Sequence, residues 1–186
     1  LTTLRSMSVE EPVSSLVFLS PDEAESYRDG SCVAIIQTKE EFARCLKQPA
    51  PGVEWLQVEG LIGDPEVWAL AAQGTVEIPI DVILSDPVKE FSALYRLVDV
   101  SQVRAVRVTI PAKPGLMKAV RLAASLQIPV RLLPGQPDAV ALAELSEAAQ
   151  FYLHDPMVET PIEFFHSLLG SFRGMSSGTL RTFLEQ

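Results

Sequence analysis

Four polar side chains recur inside short apolar runs of this chain: Gln57 in Glu54–Val58, Asp81 in Ile78–Leu84, Arg107 in Ala105–Ile110 and Arg131 in Pro129–Leu133. An aspartate beside an arginine forms an ion pair, and a guanidinium offers a planar fork that matches a carboxylate or phosphate. Two arginines against one aspartate leave a cation in surplus unless Glu59 joins them. The same residues therefore fit two roles. One is a pocket that receives an anion, and the other is a salt-bridge layer that sets strand register without binding anything.

Other chemistry is thinly represented. His154 closes the short run Phe151–Leu153, with Asp155 as its local acid, and a general acid or base needs such a partner within hydrogen-bond reach. His166 lies 12 residues further on, so the two histidines cannot share a helix face as a zinc pair does. It belongs to the stripe Phe165, Leu168, Leu169 and Phe172, and is expected to be a packed core histidine. Cys32 and Cys45 are too few for a disulfide framework or a four-thiolate metal centre, and both are expected to be small buried hydrophobes. No Gly-x-Gly-x-x-Gly or P-loop pattern occurs. No catalytic set, metal site or cofactor site is expected.

The elements that must position these residues alternate along the chain. β-branched runs at Cys32–Gln37, Glu54–Val58, Ile78–Leu84, Ala105–Ile110, Pro129–Leu133 and Phe151–Leu153 read as strands, with Leu16–Leu19 as a further strand or edge segment. Helix starts separate them. Thr38 through Glu41 spells a capping box, and Asp64-Pro65 and Asp86-Pro87 place an N-cap acid before a proline at the first helical position. Gln136-Pro137-Asp138 is a looser version, and Thr160 through Glu163 combines a capping box with such a proline.

Glu77–Ile83 aligns with Gln127–Leu133 at an offset of 50 residues, and Val53–Val58 aligns with Val103–Val108 at the same offset. That distance is two strand–helix units, so the expected class is α/β with a parallel sheet of repeated βα units. Each of four consecutive strands has one apolar face and one polar-bearing face, with Gln57, Asp81, Arg107 and Arg131 at equivalent heights. A sheet covered by helices on both sides should be apolar on both faces, whereas a barrel can hold a polar layer inside. The preferred architecture is a partial (β/α)6 or small barrel-like sheet with a C-terminal helical extension. The alternative is an open doubly wound sheet.

A chain of 186 residues is sized for one domain, read as an N-terminal segment 1–30, βα repeats over 31–170 and a C-terminal helix over 171–186. The net charge of −9 argues against nucleic acid as a partner. Residues 1–93 carry net −10 and residues 94–186 net +1, with seven basic residues and one acid between 96 and 131. No apolar run approaches the roughly 20 residues of a membrane span, and the N-terminus lacks the pattern of a signal peptide. A cytoplasmic setting without membrane association is expected.

The βα units, the polar interior and the C-terminal extension together resemble the partial (β/α)6 barrel of radical S-adenosylmethionine enzymes. Val76–Ile80 through Ile128–Leu132, then Phe151–His154 and Pro161–His166, are similar to the later units of peptide-maturing members, over roughly residues 31–170. The family's Cys-x-x-x-Cys-x-x-Cys motif is missing. The loop after Cys32–Gln37 holds Cys45 alone, and one thiolate cannot ligate a four-iron cluster. No Gly-Gly-Glu segment follows the second strand, where only Glu59-Gly60 stands. The resemblance therefore implies a cluster-less relative to which radical chemistry does not carry over.

Ligands of parallel sheets and barrels bind at the carboxyl ends of the strands. The expected function is that of a non-catalytic binding or accessory protein. It would recognise a peptide partner or a small anionic ligand at that rim through Gln57, Glu59, Asp81, Arg107, Arg131 and His154. Phe164–Leu184 would be a further contact surface. The alternative is a metal-independent enzyme acting on a small anionic substrate. Arg107 and Arg131 would then clamp the anion, with Glu59 or His154 as general acid or base.

Overall fold

The N-caps read at Thr38, Asp64, Asp86 and Asp138 each open a helix in the computed structural model, which describes residues 16–74, 76–156 and 158–172. Thr38 accepts from Glu41 N while Glu41 reaches back, starting α2 (Lys39–Lys47), and Asp64 accepts from Glu66 N to start α3 (Pro65–Gln73). Asp86 accepts from Val88 N and Lys89 N ahead of α4 (Pro87–Glu90), which runs on through a 3-10 helix (Phe91–Leu97) into α5 (Val98–Ser101). Ser20 closes a capping box with Glu23 before α1 (Pro21–Ser26). Asp138 accepts from Ala141 N to start α7 (Ala139–His154). Between these lie β1 (Val17–Leu19), β2 (Cys32–Ile36), β3 (Val53–Glu59), β4 (Ile80–Ile83), β5 (Val106–Pro111) and β6 (Val130–Leu133). The remaining helices are α6 (Leu116–Ser125) and α8 (Glu163–Phe172).

One expected strand is corrected. Phe151–Leu153 is not a strand but the last turn of α7, because the Ala/Leu/Glu-rich stretch after Asp138 meets no breaker until Asp155-Pro156. The edge strand expected at Leu16–Leu19 forms as β1 and pairs beside β2, so the strand–helix units start before residue 31. Of the C-terminal helix placed at 171–186, residues 173–186 lie outside the described residues.

The strands form one all-parallel sheet in the order β1-β2-β3-β4-β5-β6, and β1 and β6 do not meet. Crossovers that always step to the next strand, with the right-handedness such connections follow, put the connecting helices on one face, unlike a doubly wound sheet. Packing agrees. Leu56, Val58, Ile80, Val82, Val108 and Val130 join Phe42, Trp68, Leu94, Leu116 and Val120 in one hydrophobic core. The opposite face carries a separate small cluster, Val33 and Trp55 with Leu16 packed against it. Fully burying side chains of this size contributes about 1.5–3 kcal/mol each, so the helix-covered face dominates the stability of the domain.

Register supplies a further correction. Ile35, Gln57, Asp81 and Arg107 form one row across β2 to β5, but Arg131 pairs with Thr109 and sits one row nearer the strand ends, level with Glu59 and Ile83. The internal repeat places Arg131 at the same point of its strand as Asp81. The pairing shifts by two residues between β4 and β6, the kind of stagger that curves a sheet toward a barrel, and two residues keep the side chain on the same face.

Candidate functional site

The polar face is closed at its centre. Arg107 is 1% exposed, and its Nη2 donates to Asp81 Oδ2 at 2.5 Å. Its Nη1 donates to Glu163 Oε2 at 2.5 Å. Thr109 Oγ1 donates to the other Asp81 oxygen at 2.6 Å, so that both carboxylate oxygens are used. Glu163 arrives from outside the sheet. Ile162 makes a parallel bridge to Val130 and packs into the helix-side core, so the next side chain falls on the polar face and reaches past β6 to Arg107. The capping box expected at Thr160–Glu163 would have kept this carboxylate on its own helix; its partner here is Arg107.

Arg131 stands apart from that cluster. It is half-buried and has no hydrogen-bond or ion-pair partner among the described residues. On the other side of the same row, Glu59 accepts from Gln57 Nε2 at 2.8 Å and Gln37 Nε2 at 3.3 Å. Gln57, Glu59, Asp81, Arg107 and Arg131 therefore do share one face, as the alternation predicts. His154 does not. As the last residue of a 16-residue helix, about 24 Å long, it has been carried back toward the N-terminal end of the sheet. There it lines a cleft of about 320 Å³ with Arg121, Phe151 and Pro156.

The backbone N–H groups at the strand ends, which in many α/β proteins cradle phosphates, are occupied by the chain's own carboxylates. Glu41 accepts from Gln37 N and Thr38 N, each at 3.0 Å. Glu90 accepts from Ser85 N at 2.7 Å and Asp86 N at 3.1 Å. Glu144 crosses from α7 to take Gly115 N at 3.0 Å and Met117 N at 2.9 Å, capping α6. Gly115 is required at that junction. Its φ is +89°, and a Cβ there would lie 2.6 Å from Val88 Cγ2 and 2.9 Å from Val88 N. A ligand at this rim must accordingly be recognised by side chains, of which Arg131 and the exposed Lys113, bonded to Ser85 O at 3.0 Å, are the cationic ones at β5 and β6.

Cys32 and Cys45 are buried and unpaired with each other, and burial pushes both thiols above their usual range. For Cys45 the neighbouring Arg44 opposes that rise as the second influence. His166 is exposed rather than core-packed, with Nδ1 3.2 Å from the Tyr152 hydroxyl. Among the described residues no group of three His, Cys, Asp or Glu side chains could hold a metal ion, and no helix is long and apolar enough to cross a membrane.

Composition and spacing missed Thr109, Glu163 and Glu144. Thr109 was visible as a polar residue on the Arg107 face of its strand. Glu163 and Glu144 act on elements remote in sequence, and no local pattern marks such contacts. Together the sheet order and the polar face define a class: a sequentially ordered, open parallel α/β half-barrel with an ionic layer on the face opposite its connecting helices. Comparison of the chain with family models, with curated proteins and with solved structures finds no match.

Proposed function

We propose that this chain is a non-catalytic binding protein whose ligand carries an anionic group, received by Arg131 at the strand-end side of the polar face. One observation carries the proposal: among the described residues Arg131 is a half-buried guanidinium without a partner, in a face whose other arginine is already neutralised by two carboxylates. Guanidinium groups in that setting form charge-assisted bonds with carboxylate or phosphate. Arg107 supports the site from beneath rather than clamping the ligand, since an incoming anion would have to displace Glu163.

A peptide is the favoured bearer of that anion. On its outer side β6 is paired by Ile162 through Val130, while Leu133, at the strand's end on the Arg131 face, remains 37% exposed. An extended segment added along that edge would gain backbone hydrogen bonds and an apolar contact besides the ion pair. The enzymatic alternative loses two of its parts, because Arg107 is closed off and His154 lies elsewhere. Kinship with the radical S-adenosylmethionine half-barrels belongs to the same proposal, as a relative that kept the sheet and not the cluster; the turn after β1, Ser20-Pro21, also lacks cysteine.

The test is thermal unfolding against short acidic peptides and phosphorylated and carboxylated metabolites. A ligand at 100 times its dissociation constant adds about 2.7 kcal/mol, a rise of about 5–10 °C at this chain length. The expected hit disappears in Arg131→Ala. A panel without response, or a response that Arg131→Ala retains, overturns the proposal.

A further inference from the structure

Arg104 precedes β5, at the N-terminal end of the sheet and away from the Arg131 rim. It is 6% exposed, yet no carboxylate pairs with it among the described residues. Nη2 donates to the carbonyl of Gly74, the C-cap of α3, at 3.2 Å, while Nε and Nη1 are buried without an acceptor. A guanidinium does not shed its proton under ordinary conditions, so burial without a counter-charge is costly. Burial lowers the Arg104 pKa, and no opposing charge offsets it.

The same side chain lines a cleft of about 220 Å³ with Ser101, Gln102, Leu126, Gln127 and Pro129. A water occupies about 30 Å³ of liquid, so the space suits one small oxyanion with a few waters. Gln127 adds an independent peculiarity. Its φ is +56°, the left-handed conformation that glycine adopts most easily at a helix end. A side chain is retained there nonetheless; it lines the cleft and donates to Glu159 at 3.2 Å.

We propose that Arg104 and this cleft form a second binding site, for a single small oxyanion of the carboxylate or phosphate kind, at the N-terminal end of the sheet. Nε–H and Nη1–H, which nothing reaches in the ligand-free chain, turn to the cleft as the anion enters and give it charge-assisted bonds, while the Gly74 carbonyl holds the third nitrogen. Gly74 makes room for it, because a Cβ there would lie 2.5 Å from Arg104 Nη2.

The experiment is thermal unfolding of the full chain in sodium phosphate and in sodium acetate, each against sodium chloride of equal ionic strength, with titration calorimetry for stoichiometry. The site requires a rise of about 5 °C at saturation in one of the two anions, and which of them acts identifies the oxyanion. The rise persists in Arg131→Gln, which separates this site from the rim. It vanishes in Arg104→Gln, which in chloride alone unfolds no earlier than the parent because an uncompensated charge has been removed. Gly74→Ala keeps the arginine but displaces its guanidinium, and must also lose the response; it serves where Arg104→Gln fails to fold. No rise in either anion, or a rise that survives both variants, overturns the proposal. A lower unfolding temperature of Arg104→Gln in chloride, without any anion response in the parent, reduces Arg104 to a cap of α3 and overturns it equally.

Discussion

Arg107 and Arg131 stand on neighbouring strands and the same sheet face, one row apart, and their circumstances are opposite. Around Arg107 the charge is answered: Asp81 from β4 and Glu163 from beyond β6 converge on a guanidinium that water does not reach, and the Thr109 hydroxyl donates to the other Asp81 oxygen. Around Arg131, closer to the strand ends, none is answered among the described residues. The same residue type is thus a structural tie in one row and, among the described residues, an unpaired cation in the next. What separates them is the identity of the row neighbours. Asp81 lies beside Arg107, whereas Thr109 lies beside Arg131.

Breaking the closed side should have the largest effect. Arg107→Ala strands Asp81 as an unpaired buried charge, a loss of about 3–5 kcal/mol. At this chain length that lowers the unfolding midpoint by about 10 °C or more, read by calorimetry. A fall of only a degree or two would mean that the ionic layer is not the tie described. Next in size is Glu144→Ala, which frees two N–H groups at the start of α6 and should cost about 1–2 kcal/mol by urea titration.

Glu163→Gln keeps the shape and removes half of the neutralisation of Arg107, a loss of roughly 1 kcal/mol. Because Glu163 ties α8 to the sheet, amide exchange over residues 163–172 should quicken in that variant more than in β3 or β4. On the open side Arg131→Ala should leave stability within about 0.5 kcal/mol while abolishing the ligand response. Were it to destabilise the fold as much as Arg107→Ala does, the contrast between the two rows would collapse.

The smallest effect concerns the thiols. The raised pKa of Cys32 and Cys45 means that the folded chain holds their protons more tightly than the unfolded chain does. Their contribution to stability is complete below the ordinary thiol range and is lost as pH rises through it. Iodoacetamide at pH 8 should accordingly label neither cysteine until the protein is unfolded, as judged by intact mass.

Local chemistry determined much of this molecule. Thr38, Asp64 and Asp86 start helices because a side-chain oxygen beside free N–H groups needs nothing distant, and strand alternation sorted Gln57, Asp81, Arg107 and Arg131 onto one face because successive side chains point opposite ways. Those are effects of neighbours within a few residues, so they were legible. Phe151–Leu153 was misread because aromatic strand propensity lost to the continuing helix that began at Asp138. Tertiary structure alone decided the rest. The row in which Arg131 sits follows from a stagger accumulated over three strands. The second carboxylate on Arg107 came from Glu163, 56 residues away, once Ile162 had docked on Val130. Whether a buried charge is tied down or left unpaired depends on which distant carboxylate reaches it, and that is settled only when the sheet has assembled.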